Sequence, residues 1–135
     1  ALEAADHVAI LRGGKLRQEG PAADIYLKPT SADVAAALGP VNRLLAGEVP
    51  AGLAEIPAGS ELVVRPEGIV LDPASPVQGK VLASQITGAM NRLVMDLEGR
   101  RLVALVPRDV APKAGETAGI RLDPALSFIF PSAKA

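Results

Sequence analysis

The pattern of apolar and polar residues changes at Gly39-Pro40, and this change limits the folds open to the chain. Beyond it, short apolar runs recur about every 8 to 12 residues, separated by Pro, Gly, Asn and Asp. The runs are RLLAGEV, ELVVR, GIVLD, VQGKVLASQI, RLVMDLE, RLVALV, ETAGIRLD and SFIF. This rhythm is typical of a small barrel or sandwich, and Glu98-Gly99-Arg100 predicts a hairpin within it. No helical period follows residue 40, so the second part of the chain is predicted to be all-β.

The first part of the chain mixes helix and strand signals. The start, ALEAAD, is helix-forming, and HVAIL and KLRQE are short strands joined by a turn at Gly13-Gly14. Pro21 begins a short helix, AADIYLK, which ends at Pro29. Thr30 or Ser31 then caps a second helix from about residue 32 to 38. We therefore predict two domains, residues 1–39 and residues 40–135.

Composition excludes several classes of function. Aromatic residues make up 2% of the chain, too few for the stacking platforms that bind single-stranded nucleic acid. The net charge is −1 with both signs mixed, which argues against nucleic acid as a partner and against a polybasic membrane anchor. There is no cysteine, hence no disulfide, zinc ribbon or thiol catalysis. No apolar run approaches the roughly 18 residues of a membrane helix, so we expect no direct membrane insertion. Glu3 and Asp6 stand where a signal peptide would be basic.

An ordered series of motifs carries a family resemblance. ALEAAD precedes a strand, and then come Arg12 to Lys15 (RGGK), Gln18 to Gly20 (QEG), Pro21 to Pro29 (PAADIYLKP) and a helix that ends at Gly39. The series resembles the end of the nucleotide-binding domain of an ABC-importer ATP-binding subunit. The run LVVRPEGIVL resembles the VRPE strand of the C-terminal regulatory domain of these subunits, the transport-associated OB (TOBE) domain. The resemblance covers essentially the whole chain.

The resemblance implies a fold and a function. The fold would be mainly β: an OB-like small antiparallel β-barrel, preceded by a short α/β segment of one β-hairpin and two short helices. The parent subunit would bind ATP and Mg at the cytoplasmic face of the bacterial inner membrane. It would drive uptake of iron, a polyamine or a similar small solute through a permease. This chain would be its regulatory and subunit-interaction domain.

Catalytic machinery is not expected in this chain. No G-x-x-x-x-G-K-[ST] loop occurs in the sequence, and the resemblance places the loop, the signature motif and the magnesium ligands upstream. We therefore expect no catalytic residue, no cofactor site and no metal site. The alternative is a stand-alone module that binds a small ligand or an oxyanion such as molybdate.

Two features of the first part look functional at first sight. His7, the only histidine, lies at a helix-to-strand junction, where a partly buried or capping role is expected because no second histidine or carboxylate pair accompanies it. Gly13-Gly14-Lys15 could cradle a phosphate only if the glycines led into a helix. They lead into the strand KLRQE, so a hairpin turn is expected.

Two groups of residues in the second part are candidates for contacts or binding. Arg65, Pro66 and Glu67 either make an interdomain or dimer contact or form a local ion pair where a strand ends, since Pro66 cannot donate to a ladder. Asn42 and Arg43 resemble the start of small molybdate-binding domains, where a Ser-Ala-Arg-Asn turn holds an oxyanion. This sequence reads GPVNRL and lacks the serine, so Asn42 could instead organise the turn into the first strand. Carboxylates spread singly along the second part are interpreted as solvated surface: Glu48, Glu55, Glu61, Asp72, Asp96, Asp109 and Asp123.

Self-association is the last expectation. A two-stranded hairpin is marginal alone, and its unpaired edges are a template for another chain. The apolar side chains expected to be uncovered are Val8, Ile10, Leu11, Ile25, Tyr26 and Leu27. We therefore predict a homodimer that pairs the hairpins or exchanges the N-terminal segment.

Overall fold

The computed structural model describes residues 7–132 and divides the chain into two compact units, with the boundary between Val41 and Asn42. The sequence placed that boundary two residues earlier, after Gly39. The helix predicted for ALEAAD lies outside the described residues.

The first unit begins with an antiparallel hairpin of strands β1 (His7–Arg12) and β2 (Lys15–Pro21). Gly13 and Gly14 join the strands with φ of 59° and 77°. Positive φ at both central residues defines the type I′ turn, whose twist matches that of the flanking strands. The predicted hairpin turn is confirmed.

Two short helices follow the hairpin, α1 (Ala22–Leu27) and α2 (Ala32–Ala37). Pro21 immediately precedes α1, as predicted, and Ser31 rather than Thr30 caps α2 by accepting a hydrogen bond from Val34 N at 3.2 Å. Helix α1 contacts both β2 and α2. The buried apolar residues of this unit are small for the most part: Ala22, Ile25, Ala32, Val34 and Ala35.

The second unit consists of eight strands with short turns of 3₁₀ helix between some of them. The strands are β3 (Asn42–Leu45), β4 (Ser60–Val64), β5 (Ile69–Leu71), β6 (Gln78–Thr87), β7 (Met90–Leu97), β8 (Arg100–Pro107), β9 (Thr117–Leu122) and β10 (Ser127–Pro131). Every apolar run identified in the sequence overlaps one of them. The first run, RLLAGEV, is strand only as far as Leu45, where β3 ends. A 3₁₀ turn, Ala46–Glu48, follows.

These strands form two antiparallel sheets around one core. The three-stranded sheet has the order β10-β4-β3, and the five-stranded sheet has the order β5-β9-β6-β7-β8. The edge strands β5 and β8 of the larger sheet contact each other without a ladder, so that sheet curls upon itself. The core takes residues from both sheets: Leu44, Leu62, Val64, Ile69, Val77, Val81, Leu93, Met95, Leu97, Leu102, Ala104, Val106 and Ile120. The fold is mainly β and OB-like, as predicted.

The hairpin between β7 and β8 is a second type I′ turn. Glu98 and Gly99 have φ of 52° and 86°, which confirms the turn predicted at Glu98-Gly99-Arg100. Glu98 is the only residue other than glycine with positive φ in the described part of the chain. This conformation is unfavourable for a side chain with a Cβ.

Candidate functional site

The Arg65-Pro66-Glu67 motif forms a tight turn at the end of β4. The strand ends at Val64, and Pro66 opens a 3₁₀ turn, Pro66–Gly68, in which Gly68 N donates to Arg65 O at 2.8 Å. Proline has no N–H to continue the ladder, so the strand has to end there. Strand β4 does end there, and it is the central strand of its sheet.

The side chains of this motif are mostly inside the unit. Arg65 is 1% exposed, and its guanidinium carbon lies 5.9 Å from the centre of the Phe128 ring, within cation–π range. Pro66 is also buried, whereas Glu67 is partly exposed. The burial of Arg65 and Pro66 was not predicted, and the interdomain or dimer contact of this motif stays a prediction. Phe128, far along the sequence, is the neighbour that sequence reasoning missed.

A second turn, Asp123–Leu126, is hydrogen-bonded to the first. Asp123 N donates to Gly68 O at 2.8 Å, and Arg65 N donates to Leu126 O at 3.0 Å. Asp123 Oδ1 accepts from Ala125 N and so caps its own turn. A Cβ on Gly68 would lie 2.9 Å from Leu126 Cβ, which explains why glycine stands there. The two turns are thus joined by two backbone hydrogen bonds, one of them made by Arg65 itself.

Asn42 lies in a strand, not in a turn. It is the first residue of β3, is 8% exposed, and bonds only backbone groups through its side chain. Nδ2 donates to Val64 O at 3.3 Å and to Val103 O at 2.9 Å, while Oδ1 accepts from Val103 N at 2.8 Å. The predicted turn-organising role is wrong. The amide is also not turned toward a ligand, as an oxyanion site would require.

Arg43, the other residue of the predicted anion turn, forms a bidentate pair with Glu61. Arg43 Nε lies 2.8 Å from Glu61 Oε1, and Nη2 lies 3.1 Å from Oε2. The two residues are diagonal neighbours on β3 and β4, close enough for long side chains to meet. Because the Glu61 side chain is 10% exposed, its interpretation as solvated surface is wrong.

Glu48 also has specific partners. Its Oε1 accepts from Leu45 N at 2.8 Å and its Oε2 lies 2.8 Å from Arg100 Nη2. The carboxylate thus holds the turn after β3 to the start of β8. Within residues 7–132, no group of three or more His, Cys, Asp or Glu side chains is arranged to hold a metal ion.

His7 and the segment Gly13-Gly14-Lys15 lie on the hairpin of the first unit. His7 is exposed, with Nε2 3.5 Å from Glu19 Oε2, so the expected partly buried or capping role is wrong. Lys15 opens strand β2, and Gly13-Gly14 therefore do not lead into a helix N-terminus. A phosphate cradle of the loop-to-helix kind is not formed there.

The predicted apolar patch is smaller than expected. Ile25 is 1% exposed, while Leu11 and Leu27 are 66% and 49% exposed. Val8, Ile10 and Tyr26 are partly buried. Leu16 is 52% exposed and lies opposite Leu11 at the hairpin end, so the exposed apolar pair is Leu11 and Leu16. The alternation of KLRQE alone gave no signal that Leu16 would face solvent.

The second unit has a cleft of about 570 Å³ that the sequence did not reveal. Its walls combine apolar and polar side chains, among them Leu71, Val110, Pro112, Asp72, Gln78 and Thr117. Asp72 Oδ1 already accepts from Ala74 N, and Gln78 Nε2 donates to Ser75 O. The lining residues come from separate segments of the chain, so no local sequence pattern could have grouped them.

Comparison with known proteins identifies the family. The TOBE domain model matches residues 62–130, which lie within the β unit and make up about half of the chain. The chain belongs to the TOBE domain family. No helix in the described range 7–132 has the length and apolar character needed to cross a bilayer.

Similar curated proteins are ATP-binding proteins of import systems. A Yersinia pestis protein named for Fe(3+) ion import is 31% identical over 116 residues, covering 72% of this chain and 33% of its own length. One from Rhodopseudomonas palustris, named for sn-glycerol-3-phosphate import, is 32% identical over 125 residues, covering 88% and 34%. One from Xylella fastidiosa, named for sulfate/thiosulfate import, is 36% identical over 110 residues, covering 73% and 32%. This TOBE chain thus spans about a third of the length of the curated relatives it matches.

Proposed function

We propose that this chain is the C-terminal regulatory and subunit-interaction domain of the ATP-binding subunit of an ABC import transporter. The observation that carries the proposal is the TOBE match over the OB-like unit, together with relatives that are named import ATP-binding proteins. The parent subunit would use ATP and Mg, act at the cytoplasmic face of the membrane and contact a permease. Its cargo is a small solute. The relatives' names span Fe(3+) ions, a phosphate ester and sulfate, so they favour no single substrate.

The chain by itself is proposed to act through contacts rather than chemistry. Two polar side chains buried in the β unit bond within it, Asn42 to strand backbones and Glu61 to Arg43. The phosphate-binding loop does not occur in the sequence. Buried and internally satisfied polar groups stabilise a fold and leave little for a substrate.

Calorimetric titration of the chain with magnesium-ATP tests the absence of nucleotide chemistry. We expect no binding tighter than about 100 μM, which corresponds to roughly −5.5 kcal/mol. The same protein titrated with molybdate, tungstate and sulfate tests the alternative, an oxyanion-binding module. Saturable oxyanion binding that Arg43→Gln abolishes would favour the alternative. Nucleotide binding at micromolar concentration would overturn the proposal itself.

We also propose that the chain self-associates through the hairpin. Strands β1 and β2 pair only with each other among the described strands, and each leaves one edge unpaired. Leu11 and Leu16 add exposed apolar area at the hairpin end. Burying an apolar side chain contributes about 1.5–3 kcal/mol, so the four leucines of two hairpins favour pairing.

Light scattering at about 100 μM protein, a concentration at which even a micromolar dimer is largely associated, measures this directly. We expect a mass near twice the 13.8 kDa of the monomer, and expect Leu11→Ser to shift it toward the monomer. Leu82→Ser, at a leucine 40% exposed in the β unit, is the matched control and should leave the dimer unchanged. A monomeric chain, or equal effects of both substitutions, would contradict a hairpin interface.

A further inference from the structure

The outer edge of β8 is closed at Val103 by a side chain instead of by a strand. Strand β8 pairs with β7 along its whole length and has no ladder on its other side. At Val103, however, both the backbone N–H and the C=O bond the amide of Asn42, at 2.8 and 2.9 Å. A primary amide carries donor and acceptor groups in one plane, as a peptide group does. Asn42 therefore supplies the two bonds that a neighbouring strand would supply.

The same amide also ties in the smaller sheet. The second N–H of Nδ2 is directed to Val64 O at 3.3 Å, on strand β4. Asn42 itself belongs to β3, so one buried side chain joins β3 and β4 to the edge of the five-stranded sheet. Its partner Val103 lies 61 residues away in the sequence. Elsewhere, the turn Pro66–Gly68 and strand β5 contact β8 without a ladder.

We propose that Asn42 is a latch that closes the edge of β8, and that its release opens that edge locally while both sheets stay folded. The geometry of antiparallel pairing supports local opening. Backbone groups along β8 alternate between the two sides, so Leu102 and Ala104 face β7 when Val103 faces Asn42. Losing the Asn42 bonds removes the partners of Val103 and leaves the β7–β8 ladder intact.

The latch also lies at a distinctive place in the chain. Asn42 is the first residue of the second unit, directly after the boundary at Val41. The closure of β8 is therefore controlled by the residue at which the chain enters the β unit. Opening would expose a strand edge, the kind of surface that accepts another strand.

Amide hydrogen exchange in the full chain tests the proposal without any substitution. The Val103 amide should exchange through a local opening whose rate barely changes with low denaturant. The amides of Leu102 and Ala104 should exchange only through larger unfolding and respond steeply to denaturant. Identical denaturant dependence at Val103 and Ala104 would overturn the proposal.

The variant Asn42→Ala sharpens the test. We expect exchange at Val103 to rise about 10- to 100-fold relative to Ala104, since the hydrogen bonds lost are worth about a factor of ten each at most. Asn42→Asp keeps an acceptor for Val103 N–H and should accelerate exchange less. Asn91→Ala is the matched control, because Asn91 is also buried but bonds the Ser84 hydroxyl rather than a backbone group. An equal rise at Leu102, Val103 and Ala104 in Asn42→Ala would show simple global destabilisation and would refute the latch.

Discussion

The hairpin–helix unit and the β unit differ in what covers their apolar side chains. In the first unit, three of the buried apolar residues are alanines, and the larger Leu11, Leu16 and Leu27 are exposed. In the second unit, leucine, valine, isoleucine and methionine from both sheets form one core. Because free energy of burial grows with apolar area, the two units cannot be equally stable. The comparison indicates that the β unit folds by itself and that the hairpin–helix unit depends on further contacts.

Separating the two units should produce the largest effect. A chain of residues 41–135 should keep a β-type circular dichroism spectrum and a cooperative unfolding transition. A peptide of residues 7–41 should be largely unfolded, since fewer than about 40 residues rarely form a stable core alone. The intact chain is the control for both. An unfolded 41–135 fragment would contradict independent folding of the β unit. A cooperatively folded 7–41 peptide would contradict the dependence of the hairpin–helix unit on further contacts.

Truncating one buried side chain in each unit should change the stability of the β unit by different amounts. Leu93→Ala, at a fully buried residue of the β core, should lower the free energy of unfolding by about 2–5 kcal/mol. Ile25→Ala, at a residue 1% exposed in the first unit, should leave the unfolding transition of the β unit nearly unchanged. Chemical denaturation followed by circular dichroism measures both.

The two substitutions are similar in chemistry and burial, so they differ mainly in the unit that they affect. Leu27→Ala, at an exposed residue of the first unit, is the surface control and should have little effect. If Ile25→Ala destabilised the β strands as much as Leu93→Ala did, the chain would unfold as a single cooperative body.

The smallest effect should come from the two type I′ turns, one in each unit. The first turn has Gly13 and Gly14 at positive φ, whereas the second has Glu98 at φ 52°. Glu98→Gly should stabilise the β unit by about 0.5–1 kcal/mol, because glycine adopts positive φ without steric cost. Thermal unfolding of the 41–135 fragment measures the shift. Glu98→Ala is the control, since alanine retains the Cβ, and it should give no comparable gain.

Much of the local structure could be predicted from the sequence. The eight apolar runs, the Gly13-Gly14 and Glu98-Gly99 turns and the Ser31 cap depend on residues a few positions apart. Such features follow from alternation, from positive φ and from side-chain hydrogen bonds to nearby N–H groups. The fold class followed from the same patterns and from the resemblance of the ordered motifs.

The candidate site was predicted less well, because its bonds join distant positions. Arg65 was expected to make a contact between domains or subunits or a local ion pair, and its burial beside Phe128 was not predicted. Glu61 was interpreted as solvated, yet it pairs with Arg43 on the neighbouring strand. A charged residue in a strand carries no local sign of whether a partner will be opposite it, and that partner decides whether burial is tolerable.

Local sequence patterns set which segments become strands and where the chain turns, and they carry the resemblance to the TOBE domains. Those properties arise from short-range sterics and from the spacing of apolar side chains. Other features depend on the folded chain as a whole: the bonds of Asn42 to Val103, the packing of Gly68 against Leu126, and the burial of Ile25 but not of Leu16. The physical reason is that burial and hydrogen bonding belong to pairs of residues. The register and curvature of the sheets, set by the whole β unit, choose those pairs.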